Sequence, residues 1–217
     1  MPTSIVLSEA GHEVLGVDIQ DHIVESINNG ISHISEKGLQ EKLKKAINNK
    51  TFIAKKSPTF ADVFLITVPT PFKKDSSKIP KPNLEYVHAA IRTCIPFIKK
   101  GNLIIIESTC PVGTTNEVYD LIKKIKEDYK NISLAYCPER VLPGNIMNEL
   151  INNDRVVGGI NKSSSLKAFD FYKTFCRGNI EISDSKTAEM VKLVENSYRD
   201  VNLAFANEIS IICEKQG

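Results

Sequence analysis

Apolar and polar positions along this chain fall into two alternating textures. Short, nearly continuous apolar runs rich in Val and Ile are separated by longer stretches in which apolar residues recur every three or four positions. The first texture suits strands covered on both faces, and the second suits helices that bury one stripe. The clearest strand covers residues 103–108 (LIIIES), and others are predicted at 12–18 (HEVLGVD), 52–54, 63–68 (VFLITV), 132–136, 154–158 and 180–182. Helices are predicted at 3–10, 21–29, 36–48, 84–99, 114–129 and 163–175. Gly11 reads as the C-cap of the first helix and Asp21 as the N-cap of the second, and Pro96 bends or ends the fourth. Residues 72–83, with their Lys, Ser, Asp and Pro, predict a loop, and 185–215 form one helical pattern without Gly or Pro.

Strand and helix in alternation predict an α/β protein built on a Rossmann-like, doubly wound parallel sheet. Ligands of such sheets sit beyond the carboxyl ends of the strands. Asp18, Thr70, Thr109 and Glu139 all follow strand patterns and so belong to that edge. A dinucleotide-binding sheet opens with a strand, a glycine-rich turn, a helix, and a second strand that ends in an acid. Residues 3–18 supply the helix, the second strand and the acid, so the sheet is expected to lack its first strand. A carboxylate at Asp18 would accept hydrogen bonds from both ribose hydroxyls of an adenosine and repel a 2′-phosphate, favouring NAD over NADP. An ordinary strand-end acid explains the same residue and stays open on this pattern alone.

Composition narrows the partners. With 41% apolar residues, a formal net charge of +2 and scattered Lys and Arg, the chain gives no basis for binding nucleic acid or an anionic membrane. Five widely spaced cysteines with no CxxC point to neither a metal centre nor a disulfide framework, and they fit a reducing compartment. The start of the chain does not read as a signal peptide, and no apolar run reaches the roughly 18 residues of a membrane span. A soluble, cytoplasmic protein is expected.

Four segments carry more specific information: ESTCPVGT at 107–114, CPERVLPG at 137–144, RVVGGI at 155–160 and TAEMVKLVENSYRDVNLAFANE at 187–208. In this order and spacing they resemble the UDP-glucose/UDP-N-acetylmannosamine dehydrogenase family of nucleotide-sugar 6-dehydrogenases. The PERVLPG wording is similar to the UDP-N-acetylmannosamine and UDP-N-acetylglucosamine branch, and Pro143 stands where UDP-glucose enzymes carry an acid. The resemblance implies oxidation of the C6 alcohol of a UDP-sugar to the acid, with two NAD+ as hydride acceptors and a cysteine that captures the aldehyde. The products would be precursors of cell-surface polysaccharide.

The resemblance also implies roles for residues. Lys192 and Asn196 stand four apart, on one face of the long helix, where they would donate to the oxygen that gains charge. Glu139 would work with a water in thioester hydrolysis. Thr109 would hold a water or face the nicotinamide region, or else only stabilise its turn; Thr70 would close the third strand on the cofactor side, or equally only stiffen a turn between two prolines; and Arg140 would pair with a carboxylate or with phosphate. Gly113 would turn the chain into a helix whose N-terminus favours an anion. Arg155 reads as structural, ahead of a tight turn at Gly158 and Gly159. Cys110 and Cys137 match no nucleophile position and read as small buried or loop thiols of ordinary pKa. No metal ligand is assigned.

The implied organisation is an NAD-binding domain over residues 1–183 and the start of a central helical dimerisation domain over 184–217. The family's UDP-binding domain and nucleophilic cysteine lie outside the sequence, so the chain reads as a fragment of an enzyme that is a homodimer at full length. Such a fragment is expected to be inactive alone and to bind NAD poorly or not at all, and micromolar affinity for NAD would overturn that. Tyr198, Val201, Ala204, Phe205, Ile209 and Ile212 form an apolar side of the last helix, explained equally by a dimer contact or by packing on the sheet. Two other readings stand: a non-catalytic remnant or dimerising piece, and a β-hydroxyacid-type dehydrogenase, which would lack the PERVLPG segment.

Overall fold

A computed structural model describes residues 1–73, 79–127 and 129–216. Among them strands and helices alternate as the apolar pattern predicts. Strands β1 (Val14–Val17) and β2 (Phe52–Lys55) pair in parallel. Strands β3 (Val63–Ile66), β4 (Leu103–Ile106), β5 (Ser133–Tyr136), β6 (Arg155–Gly159) and β7 (Ile180–Asp184) form a second sheet in that order. Its pairings are parallel except for β5 with β6, which is antiparallel. The connection between those two strands holds only the short helix α6 (Ile146–Asn152), and it returns the chain beside β5 in the opposite direction.

The α/β class therefore holds, but the single sheet divides in two. Among the described residues no ladder joins β1 to β3, where the absent first strand was expected to leave a gap. The two sheets still share one apolar cluster, into which helix α1 (Pro2–Glu9) places Ile5, Val6 and Leu7, and helix α3 (Leu39–Asn48) places Leu39, Leu43 and Ala46. On β4 every residue is buried, as its unbroken apolar run requires, whereas β1 is only half-buried.

Local chemistry sets the helix limits. Pro2 occupies the first turn of α1, where its missing N–H costs nothing. Helix α2 (Asp21–Asn28) begins on Asp21, but Gln20 takes the N-cap position, a correction of one residue. Gly38, in the left-handed region at φ 74°, starts α3 later than the pattern suggests. Helix α4 (Glu85–Cys94) gives way to a 3-10 turn, Ile95–Phe97, at Pro96. Helix α5 (Thr114–Ile125) follows Gly113 at φ 100°; of its predicted length, residue 128 lies outside the described residues. The loop predicted at 72–83 closes with a bridge between Phe72 and Pro82, while its residues 74–78 lie outside the description. Helix α6 escapes the pattern reading because only Met147 and Leu150 are buried, too few to show a period.

Helix α7 (Lys162–Lys173) is capped by the Asn161 side chain, which accepts from the Ser164 N–H at 2.8 Å. Helix α8 (Ser185–Gln216) runs 32 residues. Its first turns pack on β5, β6, β7 and α5, and from residue 197 onward it is exposed. Gly158 and Gly159 are the last residues of β6 rather than a turn. A side chain on Gly158 would run into the Asp184 backbone and Ala188, and one on Gly159 into Ser164 and Ser165. The glycines thus let α8 and α7 close on the strand.

Candidate active site

Strands β3, β4 and β5 deliver their carboxyl ends to one edge, and short polar links tie the loops that leave β3 and β4. Thr70 donates through Oγ1 to the Thr109 carbonyl at 2.6 Å, and Ser108 donates through Oγ to the Val68 carbonyl at 2.6 Å. The loops after β3 and β4 therefore move as one unit, and the two predicted threonines belong to it. Asp18 lies apart, at the end of β1, half-buried, with Oδ1 accepting from the Gln20 N–H at 2.9 Å. Burial holds the Met1 amino group below its ordinary value, against the charges of Glu107 and Asp18.

Under the β4 loop lies a polar cluster that sequence reading did not assemble. Glu107 is buried, and Tyr172 of α7 donates to its Oε1 at 2.6 Å. Burial, reinforced by the nearby Glu139 charge, pushes the Glu107 carboxyl up to about 7 against the pull of Tyr172 and Arg155. Arg155 stacks on the Tyr172 ring, 4.9 Å from its centroid, and donates to the Leu150 carbonyl at 2.9 Å. Its structural reading fits that setting. Cys110 and Cys137 are buried, and burial pushes both thiols up to about 12. That corrects the ordinary pKa expected of them: protein and not water surrounds the sulfur, so the thiolate is disfavoured.

Helix α8 brings the remaining residues. Lys192 donates through Nζ to the Glu139 carbonyl at 2.5 Å. Burial holds the Lys192 ammonium below the usual lysine range, opposed by the Glu195 and Glu139 charges. Glu139 accepts from the Arg140 N–H at 2.8 Å through Oε1, while its Oε2 is buried with no partner among the described residues. Asn196, one turn beyond Lys192, is half-buried and makes no side-chain hydrogen bond among the described residues. Arg140 forms a two-pronged ion pair with Glu195, Nε to Oε2 at 2.8 Å and Nη2 to Oε1 at 3.1 Å. Of the partners open to Arg140, a carboxylate of its own chain is the one engaged. That contact raises Arg140 and lowers Glu195 from their ordinary values.

Distant carboxylates fix the loop carrying Glu139 and Arg140. Glu36 accepts from the N–H groups of Gly144 and Ile146, each at 3.0 Å, and Glu149 accepts from the Leu142 N–H at 2.8 Å. Sequence reading missed both, and also Glu189, which fills the anion position foreseen at the N-terminus of α5. Glu139, Arg140 and Lys192 thus form one cluster together with Glu195, Asn196 shares only the helix of Lys192, Thr70 and Thr109 form a second pair, and Asp18 is a separate point on β1.

A family profile described as the NAD binding domain of the UDP-glucose/GDP-mannose dehydrogenase family matches residues 1–176. The chain belongs to that family. The central domain of the same family matches residues 186–217. A UDP-N-acetyl-D-mannosamine dehydrogenase of Methanococcus maripaludis is 48% identical over 217 residues, covering 100% of this chain and 49% of the relative. The solved UDP-N-acetyl-mannosamine dehydrogenase of Staphylococcus aureus superposes with a TM-score of 0.87 at 40% identity, over 98% of this chain and 52% of that one. A solved UDP-D-ManNAc dehydrogenase of Pyrococcus horikoshii gives 0.91 at 36% identity, over 100% and 52%. The chain spans about half the length of the curated relatives it matches. The family resemblance read from the four motifs holds, as does the branch read from PERVLPG. Among the described residues of this dehydrogenase-family chain, no helix is long and apolar enough to cross a membrane.

Proposed function

We propose that the chain forms the cofactor-side half of an NAD-dependent dehydrogenase that oxidises the C6 alcohol of a UDP-N-acetylhexosamine, namely UDP-N-acetyl-D-mannosamine. The observation that carries this is the approach of Lys192 to the Glu139 carbonyl, beside a buried Glu139 oxygen with no partner. Lys192 and Asn196 serve as donors to the sugar oxygen that gains negative charge, in a half-buried place where such donors act strongly. The open Oε2 of Glu139 is suited to holding the water that releases the acid. Arg140, braced by Glu195, borders the substrate side.

The donor set fits NAD. Asp18 keeps one carboxylate oxygen in a turn and leaves the other for ribose hydroxyls, at the end of a parallel strand. Thr70 and Thr109 border the same edge, and their mutual link keeps the floor of the cofactor crevice rigid. NAD, when bound, accepts the hydride that leaves C6.

In this reading residues 1–183 form the cofactor domain and 184–217 begin a dimerisation element. Tyr198, 72% exposed, with Val201 and Phe205 on the free length of α8, supports a homodimer contact and speaks against packing on the chain's own sheet. The reaction would take place in the cytoplasm and supply polysaccharide precursors. Exposure of this stripe also supports the second reading, a dimerising piece without chemistry. Saturation-transfer NMR separates the two. Adenosine ribose protons of NAD at about millimolar concentration should receive saturation from the chain, NADP should receive less, and Asp18→Ala should abolish the effect. No transfer to NAD from the folded chain would overturn the assignment of Asp18 and residues 1–183 to cofactor binding in this chain.

A further inference from the structure

Glu189 on α8 is fully buried, at 0% exposure. A carboxylate in that position is tolerated only when donors meet its oxygens. They do: Oε2 accepts from the Gly113 N–H at 2.6 Å, and Oε1 accepts from the Thr115 N–H at 2.7 Å and the Thr115 hydroxyl at 2.6 Å. These donors lie in the first turn of α5 and the glycine before it, so the charge also meets the positive end of a twelve-residue helix. Gly113 at φ 100° turns the chain there. The same stretch continues from the β4 loop that contains Thr109.

This contact fixes more than the distance between two helices. Three bonds to one planar carboxylate restrict both the height of α8 and its rotation about its axis. Lys192 follows Glu189 by three residues, which on an α-helix places it on the same face about 4.5 Å further along. From there its ammonium reaches the Glu139 carbonyl at 2.5 Å. Nothing on the Glu139 side holds Lys192 by a charge-to-charge bond, because the acceptor is a backbone carbonyl and Glu195 is engaged by Arg140. The helix itself must supply the aim.

We propose that Glu189 is a positioning residue of the candidate site: its carboxylate, clamped on the first turn of α5, sets the rotation of α8 that brings Lys192 to the Glu139 carbonyl. The loop after β4, the loop after β5 and the long helix are thereby locked together. The meaning of the site rests on the dehydrogenase reading, but the geometry does not, so the test reads Lys192 itself.

The charged groups facing Lys192 are Glu195 and Arg199 on α8, and Glu139 and Arg140 on the loop after β5. Competitive acetylation of the 217-residue chain with acetic anhydride across pH, read peptide by peptide by mass spectrometry, reports on each lysine separately. Lys186, exposed on the same helix, is the internal reference. In the parent chain the part-buried Lys192 should react about tenfold more slowly than Lys186 at high pH. Glu189→Gln has nearly the same volume but sets an amide donor against donors. Lys192 alone should then accelerate about tenfold at high pH. Glu189→Ala should behave likewise, and added formate, seated on the Gly113 and Thr115 donors, should restore the slow profile.

A merely structural role would raise the reactivity of every partly buried lysine together. An unchanged Lys192 profile in folded Glu189→Gln overturns the proposal. Should that variant unfold, Glu189→Ala decides: formate that restores the circular dichroism of the fold without restoring the slow Lys192 profile overturns it equally. Failure of NAD to bind leaves both outcomes readable.

Discussion

Glu107→Gln preserves the size of the side chain and the oxygen that accepts from Tyr172, but it removes the titrating proton. In the folded chain burial pushes this carboxyl up to about 7, whereas an ordinary glutamate stands at 4.5. Between those values the folded chain holds a proton that the unfolded chain has released. Stability must then fall as pH rises, at about 1.4 kcal/mol per pH unit. Across the interval the loss is about 3 kcal/mol. The contribution of Glu107 is fully present below about pH 4.5 and absent above about pH 7, the reverse of a salt-bridged carboxylate. The glutamine variant lacks this slope. Urea unfolding of both chains at half-unit intervals from pH 5 to 8 measures it, because the titrations of groups remote from Glu107 are common to the two and cancel in the difference. The variant should gain about 2.5 kcal/mol on the parent between the ends of the range. A difference that stays constant with pH refutes the reasoning, and with it the view that Glu107 is partly protonated near neutrality.

Two further outcomes follow from close contacts. Gly158→Ala should destabilise the fold by about 1–3 kcal/mol in thermal unfolding, because the added methyl group meets the Asp184 backbone and Ala188 across the β6–α8 contact. An unchanged midpoint would show that α8 does not pack there. Arg140→Lys keeps the charge but loses the two-pronged geometry on Glu195, so amide exchange in residues 139–144 should accelerate about tenfold while β4 stays protected. Equal exchange in the two chains would mean that Glu36 and Glu149 suffice to hold the loop.

The elements legible in the sequence are those whose signal is carried by apolar position. The run Leu103–Ile106 is buried throughout, and the helix pattern from Ser185 onward is one helix. Helix α6 and the reversed direction of β6 have no such signal: one is too short for a period, and strand direction depends on how a connection folds back. The separation of β1 from β3 is likewise a property of hydrogen-bond partners, which a local apolar pattern does not encode. Site residues divide the same way. Lys192, Asn196 and Glu139 lie within dense motifs, so four segments in order point to them. Glu36 stands in an unremarkable loop more than a hundred residues from the Gly144 and Ile146 N–H groups it meets.

That division has a physical root. A carboxylate that binds backbone N–H groups places no demand on the side chains of its partner, so no complementary residue betrays the pair. Glu36 acts in this way on the loop after β5, as Glu149 and Glu189 do through their bonds to the Leu142, Gly113 and Thr115 N–H groups, although Glu189 also takes the Thr115 hydroxyl. Arg140 with Glu195 is the exception, a side-chain pair, yet its members are 55 positions apart and each resembles a surface charge by itself. The donors most suited to chemistry, Lys192 and Asn196, are held by none of these bonds directly; Lys192 rests on a carbonyl and Asn196 on nothing among the described residues. Rigidity therefore resides in the carboxylates around Lys192 and Asn196. In the proposed dehydrogenase reading, a substrate oxygen would meet these donors without first having to break a strong ion pair.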